Sequence, residues 1–184
     1  MNGNYIKFGA MIGTSMVVML GLMYLNTYAL PHVHWSETRF YMTLIMGAGM
    51  AIVMLSFMLG MYKNPKFNIG IYAASLLAFT LALWLVRSQV TVGDQSYMKA
   101  MIPHHSIAIL TSERAGIEDL RVRELANGII RAQRREIKEM EWLINDIAAN
   151  GKVTSAAAAD FRPVPNFKGE LNPEAPAGAD ADIE

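Results

Sequence analysis

The string Tyr97-Met98-Lys99-Ala100-Met101-Ile102-Pro103-His104-His105 places two kinds of metal donor side by side. Thioethers are soft donors that select Cu(I) or Ag(I), whereas imidazole accepts several transition metals. Methionine is uncharged and, unlike cysteine, forms no disulfides in an oxidising compartment. On an ideal helix Met98, Met101 and His105 fall within about 60° of one another, and His104 lies about 100° from His105. One straight helix does not readily give both imidazoles to one ion. Pro103 lacks an N–H and clashes with the preceding turn, so a kink there could re-aim either ring. Further along, Gln133, Glu136 and Met140 share one helix face by the same arithmetic. Facing helices can bring the two sets together. Met98, Met101 and Met140 as thioethers, with His104 and His105 as imidazoles, then make a candidate site for Cu(I), Ag(I) or Cu(II). Gln133 and Glu136 would be weak ligands or orient the others. The competing account keeps the methionines as adaptable core fillers and the histidines as ordinary hydrogen-bonded side chains. His32-Val33-His34 is a second, smaller candidate, an entry or auxiliary metal site or simply a solvated pair.

Two helices must position these residues. Gly93-Asp94 punctuates the chain, and the spacing predicts one helix from about Gln95 to Arg114, with Ala115-Gly116 as the turn. A second helix is expected from Glu118 to Asn150, stopped by Gly151. Its positions Val122, Leu125, Ile129, Ile130, Ile137, Met140, Leu143, Ile144 and Ile147 follow helical spacing. Glu118 and Asp119 suit its first turn. Arg131, Arg134, Arg135 and Lys138, interleaved with Glu136, Glu139 and Glu141, are most simply a solvated face with i,i+4 pairing. Two helices of about 55 residues together bury too little surface to stand alone. A four-helix bundle in a homodimer or higher homo-oligomer is therefore expected.

The run Asp94…Tyr97…Met101-Ile102-Pro103-His104-His105…Ala108, followed by Glu124-Leu125-Ala126…Ile129-Ile130…Gln133…Glu136-Ile137…Met140…Trp142-Leu143, resembles the family called domain of unknown function 305. The resemblance covers roughly residues 94–145. It implies a ferritin-like helical bundle of the kind found in periplasmic proteins that bind copper and silver. It also implies that Met101, His104, His105, Gln133, Glu136 and Met140 occupy the family's shared polar and thioether positions. Longer members of that family carry two copies of the helical pair, whereas this chain has one. The site is then completed by a second chain or remains more open.

The rest of the chain differs in character. Of its 184 residues 53% are hydrophobic and 17% charged, fourteen are methionine and none is cysteine. The lack of cysteine removes disulfides, zinc–thiolate sites and thiol nucleophiles together. Residues 1–93 hold five basic groups against Glu37 alone, and the remainder holds eleven basic against fifteen acidic. Net neutrality without a dense basic block argues against a nucleic-acid binder. Phe8–Leu30, Phe40–Tyr62 and Ile69–Val86 carry no charge, and a bilayer core needs about 20 apolar residues per helix. Residues 1–92 therefore read as a membrane domain with transmembrane helices over 8–30, 40–62 and 69–90. The first is an uncleaved anchor despite Thr27-Tyr28-Ala29, because its apolar core exceeds the roughly 7–15 residues of a signal peptide. Lys63-Asn64-Pro65-Lys66 belongs in the cytoplasm by the positive-inside rule, and with it Lys7 and the amino terminus. Residues after 87 then face the periplasm, and Tyr28, Trp35, Tyr41 and Trp84 fall near the outer interface. In the second span Met42, Met46, Met50, Met54 and Met58 recur every four residues, followed by Met61. They read as a thioether track for a soft metal or as adaptable packing beside Gly47, Ala48 and Gly49. Residues 151–184 form an Ala/Pro/acidic tail with no periodicity, expected as a flexible or extended arm.

The expected fold is all-α, three transmembrane helices plus an external helical hairpin that forms a ferritin-like four-helix bundle in an oligomer. The expected function is a non-enzymatic, periplasm-facing copper or silver binder in the bacterial inner membrane. It would serve metal tolerance or handover to periplasmic metal-handling proteins. One rival is an oligomeric interaction or scaffold protein without a metal site. Another is a ferritin-like redox enzyme, but such sites use Glu-x-x-His motifs, and the chain contains none.

Overall fold

The computed structural model describes residues 2–172, and among them every regular element is helical. The chain divides into two compact units, Met1–Leu25 with Ser36–Gly93, and Asn26–Trp35 with Asp94–Glu184.

The first unit holds α1 (Asn2–Leu22), α2 (Glu37–Phe57) and α3 (Pro65–Ser88), each long and apolar enough to cross a membrane. At 1.5 Å per residue the shortest of them reaches about 31 Å, against about 30 Å of hydrocarbon. Each helix is displaced from its expected bounds, and polar groups set the difference. α1 ends eight residues before Leu30. Arg39 Nη1 donates to the Met23 carbonyl at 2.5 Å, and its guanidinium sits 4.3 Å from the Tyr24 ring centre. α2 starts three residues before Phe40, where the Ser36 hydroxyl accepts from the Arg39 N–H. α3 starts at Pro65 rather than Ile69, because Asn64 Oδ1 accepts from the Lys66 and Phe67 N–H groups. It ends at Ser88, capped by Gln89 in the left-handed region at φ 52°, so Gly93 is not the residue that terminates it. Tyr5 ties α1 to the α2–α3 turn. Its hydroxyl donates to Asn68 Oδ1 at 2.9 Å, and its ring stacks on Phe67. Phe8, Ile12, Ala51, Leu55 and Tyr62 form the core of this unit, with Met16, Met50, Met54 and Met58 packed around them.

The second unit is a hairpin of α4 (Asp94–Arg114) and α5 (Leu120–Asn150), followed by the short α6 (Ala156–Phe161). α4 runs through Pro103 as one helix. α5 begins two residues later than Glu118, with Asp119 as its N-cap accepting from the Arg121 N–H. Glu118 therefore stands outside the helix. Met98, Ile102, Ile109, Ile137 and Met140 form the core. Each buried isoleucine contributes about 1.5–3 kcal/mol by removing its side chain from water. The amino-terminal half of α5 departs from the expected face. Arg123, Ala126, Asn127 and Ile130 are buried, whereas Val122, Leu125 and Ile129 stand exposed. Arg123 turns inward because its two terminal nitrogens donate to the Ser112 and Ala115 carbonyls, each at 2.9 Å. Those carbonyls lie at the end of α4, where a helix leaves acceptors unpaired.

Residues 26–35 belong to this unit. They carry a short 3-10 turn, Leu30–His32, and Ser106 on α4 holds them in place. The Ser106 hydroxyl accepts from the Tyr28 N–H at 2.7 Å and lies 2.9 Å from His32 Nδ1. Through residue 172 the tail is one turn-length helix and an extended strap laid on α5. Arg162 donates to the Gly151 carbonyl and pairs with Asp146, and Lys138 Nζ donates to the Lys168 carbonyl at 2.9 Å. Gly169 passes so close to α5 that a Cβ there would sit 1.8 Å from the Arg131 carbonyl oxygen. Pro173, Pro176 and the acidic end of the tail lie outside the described residues.

Candidate metal centre

The three proposed thioethers belong to one core cluster of the α4–α5 hairpin. Met98 and Met140 are 6% and 8% exposed within the hairpin core, and Met101 packs partly buried against the same cluster. Helical spacing selects these positions on both helices, and antiparallel packing apposes them. The next turn of α4 carries the imidazoles. His105 is half-buried, with Nδ1 3.3 Å from Glu136 Oε2 on α5 but off the direction of a hydrogen bond. That buried nitrogen has no directed partner, and burial lowers the His105 pKa more than Glu136 raises it. A neutral imidazole with an unengaged nitrogen is the form that ligates a metal. His104 is exposed, its ring centre 6.2 Å from that of His105. Gln133 is half-buried, one turn before Glu136 on the same face. Glu136 also faces Arg135, which pairs with Glu139 across one helical turn.

His32 and His34 lie outside α4 and α5, on residues 26–35. His32 is fixed against Ser106, the residue after His105 on α4. Burial lowers the His32 pKa, opposed by Glu141 and reinforced by His34. Among the described residues no three His, Cys, Asp or Glu side chains are grouped closely enough to hold a metal ion.

Sequence reasoning missed a buried polar cluster on the other flank of the hairpin. Arg134, expected on a solvated face, pairs with Glu113, whose side chain is 5% exposed, and also donates to the Glu170 carbonyl. A second donation reaches the Tyr28 hydroxyl at 3.2 Å, with the guanidinium over that ring. One guanidinium thus joins α4, residues 26–35 and the strap. The available signal was Glu113 itself, four residues after Ile109 on the inward face of α4.

The family model described as Domain of unknown function (DUF305) matches residues 87–175. A relative from Acanthamoeba polyphaga mimivirus, "Uncharacterized protein L153", is 33% identical over 120 residues, covering 62% of this chain and 74% of its own length. The chain belongs to the DUF305 family. The DUF305 match takes in both hairpin helices, α6 and the strap, and so reaches well past the 94–145 carried by the motif. It leaves α1, α2 and most of α3 outside the domain. No solved structure matches the chain.

Proposed function

We propose that this DUF305 protein is a membrane-anchored binder of copper or silver ions, with α1 to α3 spanning a bacterial inner membrane and the hairpin in the periplasm. The observation that carries it is that Met98, Met101 and Met140 share the hairpin core, with the half-buried His105 one turn after Met101 and its Nδ1 without a directed partner. Thioethers suit Cu(I) and Ag(I), and the His104–His105 pair suits Cu(II). Glu136 stands where it can orient His105 or bind weakly. Lys7, Lys63 and Lys66 in the cytoplasm give the orientation. Metal tolerance, or handover to other periplasmic metal-handling proteins, is the role such a site serves.

The test is metal affinity against pH under reducing and oxidising conditions. Met101→Leu with Met140→Leu, nearly isosteric, should remove most Cu(I) and Ag(I) binding by the hairpin and keep the fold. His104→Ala with His105→Ala should remove Cu(II) and spare part of the Cu(I). Parent-like binding of all three ions by both variants would overturn the assignment.

A second reading, an oligomeric interaction protein without a metal, is favoured by one observation. Val122, Leu125 and Ile129 form an exposed apolar row on α5, with Leu125 64% exposed. Elemental analysis of the purified protein separates the two.

A further inference from the structure

α1 and α3 each pack on α2 but not backbone to backbone on each other. The cleft left between them is a cavity of about 330 Å³, with Phe8, Ile12 and Ala51 on its walls. A second cavity of about 320 Å³ adjoins it along α3, beside Lys66 and Gly70. Phe67, Ile71 and Ala74 line both cavities. On a helix these three fall within about 60°, with Lys66 and Gly70 to one side of the row and Ser75 to the other. They make a ridge with an apolar trough on each flank, and both troughs open to the outside of the unit. The troughs end where the chain is basic. Tyr5 joins the start of α1 to the start of α3 through Asn68, so Lys7, Lys63 and Lys66 stand at one end of the unit, all exposed. Glu37, the sole acidic residue before Asp94, begins α2 at the other end.

We propose that this cleft binds one anionic diacyl phospholipid, an acyl chain in each trough astride the Phe67–Ile71–Ala74 ridge and the phosphate on Lys66 and Lys63. Apolar walls open to hydrocarbon accept a chain of methylenes and offer a hydrated ligand nothing. Charge selects the head. Lysines at the membrane surface attract anionic lipid, and basic pockets between spans at that level hold phosphate groups. The long stem of Lys66 lets its ammonium reach headgroup level while the methylenes stay on the apolar wall. Depth agrees as well. From Lys66 to Ser75 α3 rises about 14 Å, close to one leaflet of a hydrocarbon core of about 30 Å. The site rests on α1 to α3 crossing a bilayer and on nothing in the hairpin. It makes the membrane unit a reader of lipid charge as well as an anchor.

The experiment uses the full chain in mild detergent with equimolar phosphatidylglycerol and phosphatidylcholine, and native mass spectrometry counts the lipid that stays bound. The parent should keep one phosphatidylglycerol in preference to phosphatidylcholine. Lys63→Gln with Lys66→Gln should erase that preference, about fivefold for each lysine removed. Lys7→Gln removes the same charge from the same end but lines a different groove, and should keep it. A Cβ at Gly9 or at Gly70 meets nothing within 4 Å. Gly9→Leu and Gly70→Leu should therefore fill one trough each and lower retention of both lipids, with helicity unchanged. Equal retention of the two lipids by the parent, loss of preference in Lys7→Gln, or parent-like retention by both leucine variants overturns the proposal. A parent that flies as a lipid-free dimer shows the cleft covered by a second copy and overturns it too. A chain that stays in solution without detergent overturns the membrane assignment itself, and this site with it.

Discussion

His32 and His105 are both held toward the neutral form by burial, against the pull of Glu141 and Glu136. In the unfolded chain the same groups titrate near 6.5, so between that value and the lowered folded one the unfolded state binds more protons. Stability is then fully present above about pH 6.5 and is lost as pH falls through the folded values. The hairpin unit should melt at steadily lower temperature from about pH 6.5 to 5, and His32→Gln with His105→Gln should flatten that slope. A parent whose melting temperature is constant across the window refutes this account of the two rings. The same shift bears on metal release. Cu(II) on His104 and His105 should dissociate as pH falls from about 7 to 5, and the lowered pKa moves the His105 share toward the acid end.

The element scale is governed by Arg134, which fastens α4, residues 26–35 and the strap through Glu113, Tyr28 and the Glu170 carbonyl. Glu113→Ala leaves that guanidinium unpaired in a mostly buried place and should cost about 3–5 kcal/mol in denaturant unfolding. Gly169→Val should act more narrowly. It drives a side chain into the Arg131 carbonyl, so the strap should lift and become open to limited proteolysis while α4 and α5 keep their helicity. Strap cleavage no faster than in the parent would contradict the close approach. Much at this scale was legible in the sequence. The hairpin announced itself through Gly151 and helical spacing, and the methionine faces through the same period, whereas Asp119, expected in the first turn of α5, is its N-cap. The inward face of early α5 was not legible, because a buried capping arginine such as Arg123 looks like a solvated one until its acceptors are in place. The end of α1 was equally hidden. An uncharged run continues to Leu30, and only the contacts of Arg39 with Met23 and Tyr24 reveal that the helix stops at Leu22. The docking of His32 depends on Ser106, 74 residues away, and no local pattern reports a contact of that separation.

For the whole molecule, orientation and assembly are the open quantities, and each yields a measurement. A membrane-impermeant thiol reagent applied from outside should label a cysteine at Ser155 and miss one at Asn64. The opposite pattern would reverse the topology. The exposed row on α5 gives a direct probe of self-association. Leu125→Asp adds a charge that stays solvated in a single chain and is buried only in a dimer. It should shift the detergent-solubilised protein from dimer to monomer with the hairpin still folded. A parent that is already a monomer would remove the basis for a second copy.

The hold of Ser106 on residues 26–35 also imposes an order on synthesis. Tyr28 and the serine that accepts its N–H are 78 residues apart, so the segment emerges from the ribosome long before its partner exists. At about 5–20 residues per second the delay is roughly 4–16 s. Over that interval α2 and α3 are made while Tyr28 and His32 wait. The loop between the first two helices is thus among the last parts of the nascent chain to settle. A chain halted before Ser106 should leave His32 as reactive toward an imidazole-modifying reagent as a free peptide does.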